Sequence, residues 1–117
     1  MLKNSLFRFI GSVCALLAVG CTSAEISTPL ESAEGDVLTS YGEMMAFLGR
    51  LEAETGAFEI DTIGTSGEGR SLVALHFSGD QDAGPSEKLK VLIYAQQHGN
   101  EPSGKEAAIA LARDIAT

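Results

Sequence analysis

The stretch KLKVLIYAQQHGNEPSGKEAAIALARDIA changes character in its middle, and that change constrains the fold more than any other feature of the chain. Leu89, Val91, Leu92, Ile93, Tyr94 and Ala95 form a nearly unbroken apolar run, the pattern of a strand covered on both faces inside an α/β sheet. After Pro102 the sequence is dense in strong helix formers. Between the two stand His98, Gly99, Asn100 and Glu101. The residue before a proline is pushed out of the helical region, and proline itself suits the first helical position. The order therefore predicts His98 at the end of a central strand, a sharp turn permitted by Gly99, and Glu101 at the entry of a helix. Open α/β sheets place their sites at the carboxyl ends of their strands.

Upstream, the signals are equally local. In SYGEMMAFLGRLEAETG, Tyr41, Met44, Met45, Leu48 and Leu51 follow a helical stripe, with Ser40 as N-cap, Glu43 three residues on and Gly56 as the stop. The runs AFEIDTIG and SLVALHFS read as strands, and the intervening TSGEGR supplies the glycines of a reversal, so a β-hairpin is expected. QDAGPSEK reads as loop. The helices starting near Ser40 and Pro102 are expected to pack on the sheet through Met44, Leu48 and Leu51 and through Ile109, Leu111 and Ile115, with the strand at 89–95 interior and flanked by the hairpin.

The first residues have a different composition. Lys3 and Arg8 form a basic n-region, 9–20 is apolar and uncharged, and small residues precede Cys21, so residues 1–20 read as a signal peptide. A retained membrane span is the weaker alternative, because crossing needs roughly 20 apolar residues. Leu17, Ala18, Val19 and Gly20 ahead of Cys21 resemble the lipobox of bacterial lipoproteins, which implies lipidation at Cys21 and a place in the bacterial cell envelope, on the periplasmic or outer-membrane side. The other reading is an ordinary secretory signal with an incidental cysteine. Cys14 lies inside the apolar segment and would leave with it, so the mature chain has no cysteine pair for a disulfide or a metal.

The chain carries 8 Lys and Arg against 16 Asp and Glu, a formal net charge of -8. That balance argues against a nucleic-acid partner. Residues 21–38, in the sequence CTSAEISTPLESAEGDVL, are rich in Ser, Thr, Ala and Glu without aromatic residues, and read as a flexible tether ahead of a structured unit at 39–117.

His98 and Glu101 offer an imidazole nitrogen and a carboxylate oxygen, a ligand set that suits Zn²⁺. The bare spacing is weak, since at roughly 2% His and 7% Glu about one chain in ten of this length holds His-x-x-Glu by accident. Each residue also has an ordinary role open to it: Glu101 complementing a helix dipole, His98 hydrogen-bonded in a loop. The context of strand, turn and proline-started helix is what favours the metal.

Two separated motifs then carry a resemblance. IGTSGEGRSLVALHFSG is similar to the hairpin of the zinc carboxypeptidase family, with Ile63, Gly64, Ser66, Glu68, Gly69 and Arg70 in register, and VLIYAQQHGNEPSGKEAAI is similar to its zinc-binding strand and helix. The resemblance covers Tyr41 to the end and implies the N-terminal part of a mixed-sheet α/β domain: helix, β-hairpin, central strand, helix. It implies His98 and Glu101 as the first two zinc ligands, with Arg70 and its turn structural. It also implies a third histidine ligand, substrate-clamping arginines, a tyrosine and a base glutamate later in the family's domain, so these 117 residues read as a fragment inactive by itself. Digestive members carry an arginine where this chain has Asn100, so contacts with extended substrates are expected to differ.

The implied activity is zinc-dependent hydrolysis of peptide bonds next to a free C-terminal carboxylate, with cell-wall peptides among the plausible substrates. Two other readings stand beside it: a zinc deacylase of the aspartoacylase or succinylglutamate desuccinylase type, which uses a similar His-Gly-Asn-Glu element, and a lipoprotein binding module without catalysis.

Overall fold

The computed structural model describes residues 26–79, 84 and 87–117. Their elements, in chain order, are α1 (Pro29–Ser32), α2 (Tyr41–Thr55), β1 (Phe58–Thr65), β2 (Ser71–Phe77) and α3 (Pro102–Ala116), a mixed α/β arrangement around a two-stranded antiparallel sheet. The signal-peptide and lipidation readings, with Cys21, lie outside the described residues. Among those residues, no helix is long and apolar enough to cross a membrane.

Helix α2 forms where its end signals stand. The Ser40 hydroxyl accepts from Glu43 N, and the Glu43 carboxylate accepts from Ser40 N at 2.8 Å, closing a capping box that satisfies two otherwise orphaned donors. The Ser40 hydroxyl and backbone N–H together hold the Glu43 carboxyl below its ordinary pKa. Gly56 ends the helix in the left-handed conformation at φ 61, which a side chain would make costly. The buried face is Phe47, Leu48 and Leu51, with Met44 half-buried beside them.

The hairpin follows, with Phe58 opposite Phe77 and Ile60 opposite Leu75. The two phenylalanine rings lie 4.9 Å apart between centroids at a tilt of 41°, a favoured cross-strand aromatic pair. A bulge between Thr62 and Gly64 shifts the register near the turn and leaves Ile63 exposed. Within the turn, Ser66 N donates to Arg70 O at 2.8 Å and Gly69 N to Ser66 O at 2.9 Å. Arg70 pairs with Glu68 and lies 6.0 Å from the Tyr41 ring, whose hydroxyl donates to Ser71 O. These contacts fasten the turn to the start of α2.

One core joins these elements: Phe47, Leu48, Leu51, Phe58, Ile109 and Ala112 are buried together, with Ile60, Leu75 and Phe77 packed against them. Helix α3 meets it through Glu106, Ile109 and Ala112, while Leu111 and Ile115 are exposed. The expected face of α3 was therefore right at Ile109 and wrong at Leu111 and Ile115. Positions three apart share a helix face, and the polar Glu106 belongs to that row because it has a buried partner.

That partner is Thr39. The Glu106 carboxylate accepts from Thr39 N at 2.8 Å and from its hydroxyl at 2.6 Å, and Lys105 stands 3.2 Å away while donating to Thr39 O. Burial pushes the Glu106 carboxyl up, but the Thr39 and Lys105 hydrogen bonds outweigh it and hold its pKa below the ordinary value.

Two expectations are corrected. Of the tether expected over 21–38, the described part from Ile26 is docked: α1 carries a capping box between Thr28 and Glu31, Ile26 packs on the core, and Arg113 pairs with Glu31 and donates to Ile26 O. Composition suggested a solvated chain, yet Thr28 is buried because its polar groups find partners. The second correction is the central strand. Residues 89–95 take no strand structure, and Leu89 and Leu92 are 90% and 86% exposed. A strand needs a neighbour for its backbone donors and acceptors, and among the described residues β1 and β2 pair only with each other.

Candidate metal centre

His98 and Glu101 stand where the segment from 89 meets α3. Pro102 occupies the first turn of the helix as its fixed φ favours, and Glu101 is the N-cap residue at φ -116. Its carboxylate makes no capping hydrogen bond. It lies instead 3.2 Å from His98 Nδ1 through Oε2. Both side chains are more than half exposed.

The loop that carries them is closed by short-range bonds: Glu101 N donates to His98 O at 3.2 Å, Gly104 N to Glu101 O at 3.3 Å, and Gln96 Nε2 to Gly99 O at 3.4 Å. The bond from Glu101 N back to His98 O makes Gly99 and Asn100 the central residues of the turn, where the sequence suggested it. Gly99 keeps an ordinary φ with open space around it, and the left-handed residue is Gln96 at φ 51. Positive φ is uncommon for a residue with a side chain, and the surrounding contacts must hold it there.

The pair fits a zinc ion. Two ligands bound at 2.0–2.1 Å in a tetrahedral array stand about 3.3 Å apart, so the 3.2 Å between Nδ1 and Oε2 already has the separation that one ion would impose. An imidazole nitrogen with a carboxylate oxygen is a common donor pair for that metal. Exposure leaves the remaining coordination positions open to a further donor and to substrate. Among the described residues, no group of three or more His, Cys, Asp or Glu is placed to hold a metal. A catalytic zinc takes three protein ligands, one more than this pair would offer.

Beside Glu101 runs an open groove of about 360 Å³, lined by Ile93, Tyr94, Gln96, Gly104, Ala108 and Leu111 among others. Its lining mixes apolar side chains with Gln96, Gln97 and Glu101. The second histidine, His76, lies on β2 opposite Glu59 and belongs to the hairpin. Sequence reasoning overlooked Gly104, whose backbone meets that of Gln96. The signal was a glycine in the first turn of a helix otherwise built of strong helix formers.

No curated protein and no solved structure matches the chain. The family model described as zinc carboxypeptidase matches residues 44–117, which takes in most of α2, the hairpin, the His98 and Glu101 loop and α3. With more than half of its length inside that match, the chain belongs to the zinc carboxypeptidase family.

Proposed function

We propose that the full-length protein is a zinc metallocarboxypeptidase, hydrolysing the peptide bond next to a free C-terminal carboxylate, and that His98 and Glu101 hold its metal. The observation that carries this reading is the 3.2 Å approach of Nδ1 and Oε2 at a helix entry within the family match. Zinc bound there would polarise a carbonyl and lower the pKa of a bound water. His98 and Glu101 would fix the ion beside the groove that Glu101 helps to line, where the side chain of a bound peptide can lie against Ile93, Tyr94 and Leu111. The third ligand and the base come, in this reading, from a later part of the full-length protein, and these residues alone do not turn over substrate. Asn100 contacts extended substrates differently from an arginine, which would add a fixed positive charge.

The same proposal places the protein in the bacterial cell envelope, lipid-anchored at Cys21, with envelope peptides such as cell-wall stem peptides as substrates. The small residues before Cys21 support it. The test uses the full-length protein and matched peptides with free and amidated C-termini. Zinc-dependent release of the last residue from the free peptide alone, lost in His98→Ala, is the expected result. Cleavage of N-acyl amino acids in place of peptides would make it a deacylase, and zinc binding without turnover would make it a binding module. Labelled palmitate that still enters Cys21→Ser would remove the anchor.

A further inference from the structure

Gly104 lies in the first turn of α3, three residues after Glu101, where alanine would suit the helix better. A Cβ built on it would stand 3.1 Å from Gln96 N, 3.8 Å from Gln96 Cα and 3.9 Å from Ala95 Cβ. The first of these is tighter than ordinary contact, so the backbone at 95–96 rests on α3 at the one place where a side chain is missing. Gln96 is also the residue held at φ 51, two positions before His98. The chain therefore adopts its strained conformation where it presses on Gly104, and leaves that contact directly into the loop bearing His98.

We propose that Gly104 is a positioning residue for the metal pair: by letting the Gln96 backbone close on α3, it sets His98 Nδ1 against Glu101 Oε2. It acts through Gln96 and touches neither ligand side chain. The inference rests on the zinc reading of that pair. A methyl group at 104 displaces Gln96 by a few tenths of an ångström, and a larger side chain displaces it further. His98 then moves with the loop while Glu101 stays with the helix, so the two donors lose their common point.

The test measures zinc affinity of the full-length protein by competition with a fluorescent chelator, alongside far-ultraviolet circular dichroism and thermal melting, for Gly104→Ala, Gly104→Leu and the ligand variants. Loss of zinc affinity by about 10-fold to 100-fold, the range typical of residues that orient ligands, is expected in Gly104→Ala, with a greater loss in Gly104→Leu. Helix content should hold, and the melting temperature of Gly104→Ala without metal should be unchanged or raised, because alanine favours the helix. Opposed movement of affinity and stability is what a purely structural glycine would not give. Zinc affinity equal to wild type in both Gly104 variants overturns the proposal, as does zinc loss that merely follows loss of helix. Wild-type zinc affinity in both His98→Ala and Glu101→Ala overturns the metal site itself and the proposal with it.

Discussion

Glu106 on α3 accepts two hydrogen bonds from Thr39, 67 residues earlier, one from the backbone N–H at 2.8 Å and one from the hydroxyl at 2.6 Å. This pair ties the helix that begins at Pro102 to the chain just ahead of α2. It closes the fold with a buried charge whose acceptor positions are met, and an ionised carboxylate in such a setting is held by charge-assisted bonds.

Glu106→Gln should lower stability at neutral pH by about 1–3 kcal/mol, because a hydrogen bond to a charged group is replaced by weaker neutral ones. The pH dependence has a definite sign. The folded pKa of Glu106 is depressed, so its contribution is fully present above the unfolded value near 4.5 and is lost as pH falls through the folded value. Melting temperatures between pH 3 and 7 should fall more steeply below about pH 4.5 for wild type than for Glu106→Gln. Parallel curves would show that Glu106 is not linked to acid unfolding.

Removing the segment before Val37 should cost stability, which removal of a free tether would not. Arg113 pairs with Glu31 and bonds Ile26 O, and Ile26 packs on the core. A variant starting at Val37 should lose about 1–2 kcal/mol, mainly from the exposed core edge. Denaturant midpoints equal to those of the longer chain would refute the docking.

Leu51 is the residue that all of the core surrounds, with no exposure at all. Leu51→Ala should destabilise by about 2–5 kcal/mol, while Leu111→Ala, at a position 40% exposed on α3, should cost well under 1 kcal/mol. Urea titration distinguishes the two.

Two glycines of α2 should respond in opposite ways. Gly49 is in the helix interior with open space where a Cβ would be, and Gly49→Ala should stabilise by about 0.5–1 kcal/mol. Gly56 holds the left-handed cap, and Gly56→Ala should destabilise by about 1 kcal/mol. Stability changes of the same sign would contradict the cap geometry.

His98→Ala and Glu101→Ala should each abolish stoichiometric zinc in the full-length protein, since losing one ligand of three leaves the ion weakly held. His76→Ala is the internal control. It alters the hairpin opposite Glu59 and should leave the metal in place. Elemental analysis of the three proteins decides the matter.

What the sequence determined by itself was whatever a few neighbouring residues can specify. Ser40 with Glu43 and Gly56 bound α2, the TSGEGR reversal joins β1 to β2, and the turn at Gly99 and Asn100 closes from Glu101 N to His98 O. Each of these is closed by bonds between groups near in the chain, so its signal is local. The tertiary structure decided what needs a distant partner. Thr39 is buried because Glu106 arrives from the far end of the chain, and 26–34 docks because Arg113 is there to receive it. The face of α3 is set by Glu106, Ile109 and Ala112, with Leu111 and Ile115 left outside. Residues 89–95 carry a strand's composition without a strand's structure, because pairing is a property of two segments and apolar composition is a property of one. The left-handed backbone at Gln96 is of the same kind: it lies against Gly104, and a glycine's neighbour in space is not written beside it in the sequence.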